Sequence, residues 1–391
     1  MADFRILISG ASIAGNAAAY WLRRYGCEVT VVERAPALRP GGQAVDFKGE
    51  THRKVLEQMG VLADIERRQT GKTDLNVVDE ENRTQAVIPG EFIGGDVEIL
   101  RGDLADILYQ RTSRGCEFLF NDTITALRDT GAEVEVDFEQ SSSRSFDLVI
   151  GADGLHSRTR RLAFGPEKDF VEHLGYYYAV AGANTGHGAA DGRAVGYMYN
   201  TPGRLALLGG SKAPDMFVFA SPELDLPRRD VAAQQALLRE RYSGLGWKVP
   251  EMLDRLGIAG DFYFDSISRV RMDRYTNGRV ALVGDSAYGN TLGGFGTGLA
   301  IVGGYVLAGE LARAGWEHAA AFAEYDQVMH RYAGIARKGN AGPFMAPASP
   351  MKIKMRNWSF TNPLMFKLMM KMTDSFATKI DLRDYPAPQA E

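Results

Sequence analysis

The stretch ILISGASIAGNAAAYWL, residues 6–22, decides how the rest of the chain is read. A β-branched apolar run over 4–9 stops at Gly10, and a small-residue, helix-compatible segment follows and stops at Gly26. A second apolar run, EVTVVER, begins at Glu28. Strand, glycine turn, helix and strand in that order form a βαβ unit. Within the turn, Gly10-Ala11-Ser12-Ile13-Ala14-Gly15 follows a GxGxxG pattern with Ser12 at the middle glycine. The first glycine makes the turn, the middle position must stay small for a pyrophosphate to approach, and the last lets helix and strand pack closely. Serine meets the size requirement. The helix N-terminus directs free N–H groups at the phosphates. Gly10, Ser12, Ile13, Ala14 and Gly15 are therefore expected to contact a nucleotide.

Glu33, followed by Arg34, closes the second strand 23 positions after Gly10, where an acidic side chain bonds ribose hydroxyls and repels a 2′-phosphate. That favours FAD or NAD over NADP as the tightly held nucleotide. Later segments separate the two. LVIGADGLHSRTRR ends a buried strand on Asp153-Gly154, and RVALVGDSAYGNTLGGFGTGLAIVGG ends another on Gly284-Asp285. A long cofactor that crosses the sheet needs a second acidic contact on its ribityl side, and Asp285 is placed for it. NAD has no such need. Gly296 and Gly298 precede an apolar helix, so their N–H groups can reach a flat ring, and the helix end favours negative charge on a reduced flavin.

The set GASIAG with Glu33-Arg34, then GADGLHSRTR, then GDSAY, spread over residues 4–335, resembles the class A flavoprotein monooxygenases, the single-component hydroxylases that include p-hydroxybenzoate hydroxylase and the tetracycline-inactivating enzymes. The resemblance implies an α/β fold: a Rossmann-like, GR2-type FAD-binding domain, an antiparallel β-sheet substrate domain and a C-terminal helix. The expected boundaries are 1–170 and 270–335 for the FAD-binding domain, with substrate-layer segments inserted near 72–100. Residues 171–269 form the substrate domain and 336–391 a helical tail. The cofactor would be non-covalent FAD, reduced by NADPH or NADH without a second nucleotide-binding domain. Oxygen would add at flavin C4a, and one atom would pass to an aromatic or enolic carbon.

By the same resemblance Arg101, in LRGDLADIL, touches FAD, and the RPGGQAVDFKG segment supplies an FAD-contacting Asp46 and an NAD(P)H-contacting Arg39. The sequence departs from the family at GDSAY, where Tyr288 replaces histidine and Leu292 stands near the usual proline; the glycine loop is one residue short. No catalytic side chain is required, because the flavin performs the chemistry, and no general base can be named. Tyr178, Tyr199 and Phe217, in aromatic runs at 176–178, 197–199 and 217–219, are candidate pocket residues for a flat polyketide- or tetracycline-like molecule. A reductase or dehydrogenase on the same scaffold, and a non-catalytic flavin- or ligand-binding protein, are the competing readings. No GWxWxIP segment supports a halogenase.

The 391 residues suffice for two cores. The charge of -4 gives no reason for a nucleic-acid partner. Six scattered histidines and two cysteines, Cys27 and Cys116, lack metal or redox spacing. MADFRILISG is too quickly polar for a secretory signal, and no window spans a bilayer. The chain is read as cytoplasmic, monomeric or homodimeric, and acting on a small molecule with NAD(P)H and O2. Its basic, Met-rich tail is read as a helix covering the back of the fold.

Overall fold

The computed structural model describes residues 4–182, 194–209, 214–257, 262–294, 296–336, 339–377 and 381–386. The βαβ unit forms as the sequence predicts: strand Arg5–Ser9, helix Ile13–Arg24, strand Glu28–Glu33. It lies at the centre of a six-stranded sheet ordered Thr276–Asn277, Val280–Leu282, Leu148–Gly151, Arg5–Ser9, Glu28–Glu33, Glu117–Phe120, parallel except for its first pair. These strands read as continuous apolar runs because both faces are covered. Ile6 and Ile8 face a helical layer built on Ile13–Arg24 and Gly296–Arg313, while Leu7 and Val149 face a three-stranded antiparallel sheet. The two helices approach closely at glycine, where a Cβ on Gly304 would lie 2.8 Å from the Ala18 nitrogen.

The second layer is a seven-stranded sheet ordered Phe262–Val270, Val171–Ala181, Asp215–Ala220, Arg204–Leu208, Ala194–Thr201, Thr73–Val78, Thr84–Ile88. It is antiparallel except where Thr73–Val78 runs parallel to Ala194–Thr201. That exception has a topological cause, since Thr73–Val78 enters from the first layer rather than by a hairpin.

Period-2 alternation divides the side chains of this sheet into two cores. Tyr177, Tyr199, Phe217 and Phe219 pack with helices Val231–Tyr242 and Val249–Arg255 on one side. Tyr178, Val180, Met198, Val218 and Ile267 occupy the other, together with Leu292 of the glycine loop.

The tail differs from expectation. It forms helices Gly342–Met345, Pro350–Thr361 and Pro363–Ala377, divided where prolines open each one. Phe344, Met345, Ala346 and Phe360 cover the Tyr178 side of the sheet, so the tail roofs the candidate pocket instead of backing the fold. Residues 381–386 then return to helix Gly296–Arg313, where Arg383 and Tyr385 bond the buried Glu310 at 3.0 and 2.9 Å. Cys27 is buried and Cys116 half-buried, both as free thiols. No helix among the described residues is long and apolar enough to cross a membrane.

Candidate functional site

Three glycine turns meet at the C-terminal ends of neighbouring parallel strands. Gly10 has φ +108°, and a Cβ there would sit 2.5 Å from the Ala152 carbonyl, in the turn that carries Asp153. Gly284 has φ +72°, and a Cβ there would lie 2.7 Å from Ala14 Cβ. Only glycine meets both the left-handed backbone and the close approach at these two points. The third glycine of the motif is required by packing, since a Cβ on Gly15 would overlap the Gly10 carbonyl at 1.8 Å.

Glu33 stands at the tip of its strand, and its carboxylate accepts from the backbone N–H groups of Ala11 (2.9 Å) and Ala35 (2.8 Å). It therefore fixes the glycine turn while keeping lone pairs available for a sugar hydroxyl. Ser12, the N-cap of the first helix, does not cap with its side chain; its Oγ accepts from Arg101 Nη2 at 3.0 Å. Arg101 opens helix Arg101–Thr112, and the RPGG loop folds over that start, with Arg101 N donating to Gln43 O and Gly102 N to Gly41 O. Asp46 lies half-buried on strand Ala44–Phe47, where burial pushes its carboxyl pKa up and Lys48 opposes the shift. Arg34 and Arg39 are exposed.

Asp285 is accessible to solvent although protein encloses it, so it floors a cleft rather than standing on an open surface. The enclosure raises its carboxyl pKa, and the Arg101 guanidinium draws it back down. Among the described residues no donor bonds this carboxylate. Gly296 lies beside it, a Cβ there being 3.8 Å from Asp285 Oδ1.

Two of the expected contact residues carry packing roles of their own. Asp153 spends its carboxylate locally, accepting from Thr159 N (2.9 Å), Thr159 Oγ1 (3.0 Å) and Ser157 Oγ, and so organises the start of helix Arg158–Ala163. Its part in the site is to shape the turn. Gly298, in the first turn of helix Gly296–Arg313, is buried with His52 packed against its Cα, and a Cβ would lie 2.2 Å from His52 Nε2.

His52 and Arg160 were missed in the sequence. His52 is buried, its Nδ1 accepts from Lys48 N at 3.4 Å, and burial lowers its pKa to about 4. The ring is therefore neutral with its proton on Nε2, which has no partner among the described residues. Arg160 is fully buried and donates to Ser286 O (2.8 Å) and Leu155 O (2.6 Å), joining the second turn to the third. Its signal was an arginine four residues after His156 with no carboxylate nearby in sequence.

The departures at GDSAY are accommodated. Tyr288 is a core residue, its ring 5.3 Å from that of Tyr275 and its hydroxyl donating to Leu299 O at 3.3 Å. Leu292 takes φ +54° and packs on the Tyr178 face of the sheet.

Tyr178 lies on the cleft side. Burial pushes its hydroxyl pKa well up, and Arg101 and Asp285 both act on it electrostatically. Tyr199 and Phe217 are corrected: they face the opposite way, Tyr199 stacked on Trp247 at 5.6 Å and Phe217 edge-on to Tyr242 at 5.0 Å. The same alternation brings two unanticipated residues, Tyr263 and Asp265, to the Tyr178 side. A surface hollow lined by Arg5, Glu28, Thr30 and Arg144 lies where the parallel strands begin, the end opposite to that at which such sheets bind ligands.

An anion-accepting helix start, a carboxylate at the tip of the second strand and a carboxylate facing an arginine, with no donor on it among the described residues, together suit one long dinucleotide with a polar ring. They define a flavin-binding protein whose β-sheet overhangs the cleft. Residues 3–334 match the family model described as FAD binding domain, and the chain belongs to that family, as a flavin-dependent monooxygenase of class A. It is 42% identical over 345 residues to the uncharacterized protein Rv1260 of Mycobacterium tuberculosis (strain ATCC 25618 / H37Rv), covering 84% of this chain and 90% of that one. It is 37% identical to a flavin-dependent monooxygenase from an unknown prokaryotic organism, covering 84% and 86%. The crystal structure of tetracycline destructase Tet(51) superposes with a TM-score of 0.82 at 31% identity, covering 98% of this chain and 100% of that one.

Proposed function

We propose that the enzyme hydroxylates an aromatic or enolic small molecule, polyketide- or tetracycline-like, with NADPH or NADH as reductant. The reaction balances as substrate–H, NAD(P)H, a proton and O2 giving substrate–OH, NAD(P)+ and water. Bound FAD supplies the redox chemistry, accepting a hydride and activating O2. The observation that carries the reading is the sheet face bearing Tyr178, which meets the Arg101–Asp285 cleft and is roofed by Phe344 and Phe360.

The chain's own residues bind, orient and exclude. Glu33, Ser12 and Arg101 hold the adenosine and pyrophosphate side, and Asp285 the ribityl side. Asp46 offers its carboxylate to the cofactor, and buried His52 packs the start of helix Gly296–Arg313. Exposed Arg39 meets the nicotinamide nucleotide. The apolar surface of Val180, Met198, Val218 and Ile267 keeps water out, which keeps reducing equivalents from being lost as hydrogen peroxide.

The test is NADPH and NADH oxidation with O2 uptake by the FAD-loaded protein over a panel of phenolic polyketides and tetracyclines, followed by product mass. A gain of one oxygen atom supports hydroxylation. A change in hydrogens alone assigns a reductase or dehydrogenase, and no ligand-stimulated turnover assigns a binding protein.

A further inference from the structure

The cleft needs a group that takes the acidic proton of a phenol or enol, because a phenolate or enolate carbon is the better nucleophile. Tyr263 sits on edge strand Phe262–Val270 opposite Val180, and Asp265 opposite Tyr178, all on the cleft side of the sheet. Tyr263 is 41% exposed, an unusual degree for an aromatic side chain whose ring lies 5.7 Å from that of buried Tyr178. Its hydroxyl donates to Asp265 Oδ2 at 2.7 Å. Asp265, itself buried, lies 3.0 Å from His156 Nε2, and His156 Nδ1 lies 3.1 Å from Glu167. Glu167 is met by Arg228 and, at 3.9 Å, by Arg161, both substantially exposed.

This arrangement is more than a structural histidine requires. A neutral imidazole needs one donor and one acceptor partner, yet both ring nitrogens of His156 face carboxylates. Such a ring holds an extra proton, or shares one with a carboxylate, and can pass protons in at one nitrogen and out at the other.

We propose that Tyr263, Asp265 and His156 form a proton relay that takes the phenolic or enolic proton of the bound substrate from the cleft and releases it at the surface beside Glu167 and Arg228. The proposal rests on the hydroxylase reading above. The substrate O–H breaks as its proton passes to Tyr263 Oη, and the Tyr263 proton passes to Asp265 Oδ2. The proton on Asp265 moves to His156 Nε2, and the one on Nδ1 leaves through Glu167 to water. The substrate oxygen keeps its electron pair, and nothing is oxidised or reduced. Tyr263 is the group that meets substrate; Asp265 and His156 act through it.

The relay accepts a proton only while His156 is not yet an imidazolium. Burial works to lower the His156 pKa and Arg228 assists, but the bonded carboxylates Asp265 and Glu167 outweigh them, so the net value lies above the ordinary 6.5. Substrate deprotonation therefore slows as pH falls through that raised value and is level above it.

Two measurements on the FAD-loaded full chain test this. Nitrogen-15 NMR of labelled histidines, without substrate, should show His156 titrating above its ordinary value and dropping in Asp265→Asn; titration at or below the ordinary value in the wild type overturns the relay. Stopped-flow mixing of oxidised holoenzyme with tetracycline follows enol ionisation by absorbance and proton release by an indicator dye. Tyr263→Phe should slow both about 100-fold, His156→Gln should abolish the pH dependence, and added imidazole should restore the rate in His156→Ala. Unchanged rates and pH profiles in Tyr263→Phe and His156→Gln that still bind tetracycline overturn the proposal. If wild type does not bind tetracycline, that substrate fails, and the same mixing experiment is run with the phenolic polyketide that most stimulates O2 uptake, with the same outcomes deciding the relay.

Discussion

Replacing Gly303 by alanine probes how the chain tolerates a tyrosine in its third glycine turn. A Cβ at 303 would sit 1.9 Å from the Tyr288 hydroxyl, against 3.4 Å for ordinary contact, so the hydroxyl must retreat by roughly 1.5 Å. It has little room, since the ring is buried against Tyr275 and the hydroxyl is bonded to Leu299 O. Overpacking of this kind costs about 1–3 kcal/mol, and the severe overlap places it at the upper end. Alanine recovers about 1 kcal/mol of helix propensity within Gly296–Arg313, leaving a net loss of about 2 kcal/mol. In a Tyr288→Phe background the nearest atoms to the new Cβ become Val283 Cγ2 at 3.0 Å and the ring carbon Cζ at 3.2 Å. There Gly303→Ala should be neutral or slightly stabilising. Tyr288→Phe alone should lose about 1 kcal/mol with its hydrogen bond. Denaturant titrations of the four proteins at saturating FAD measure the coupling, expected at ~2 kcal/mol or more. Strict additivity, or a Gly303→Ala protein as stable as wild type, would refute the idea that Gly303 makes room for Tyr288.

Other outcomes follow from the same geometry. Arg101→Ala should weaken FAD binding at least ~10-fold, equivalent to about 1.4 kcal/mol, in a flavin fluorescence titration, because it removes both the Ser12 bond and the charge facing Asp285. His52 is neutral when folded, with its pKa lowered from 6.5 to about 4, so its contribution is complete above pH 6.5 and is lost as pH falls toward 4. The loss is about 3 kcal/mol, and His52→Leu should flatten that limb of a stability–pH curve. Arg383→Met should lower stability by about 1–3 kcal/mol in thermal melts by removing one partner of fully buried Glu310, leaving Arg313 and Tyr385.

What the sequence disclosed, and what it hid, divides by the range of the interaction. Gly10 and Glu33 belong to one βαβ unit, and local backbone rules make their positions readable at once. The facing of Tyr178 and Tyr199 could not be read that way. Alternation says that neighbouring strand residues point oppositely, but which set meets the cleft depends on register, and the pairing of Val171–Ala181 with Phe262–Val270 shifts between His173 and Tyr176. His52 against Gly298, and Tyr288 against Gly303, are likewise packing relations between helices or loops that no local pattern announces. Asp153 was ambiguous for another reason: a carboxylate after a strand can serve a ligand or organise the next helix, and Ser157 and Thr159 are close enough in sequence to bond it.

The segment 153–160 shows why such a carboxylate is better placed in structure than on the ligand. Asp153 and Ser157 fix the start of a six-residue helix too short to be stable by itself. From that fixed start Arg160 reaches the GDSAY turn and His156 reaches Asp265 on the overhanging sheet. One turn therefore sets the distance between the cofactor layer and the sheet that faces it. Loss of the Asp153 cap should disturb the cleft through these two tethers, even though Asp153 itself need touch neither cofactor nor substrate.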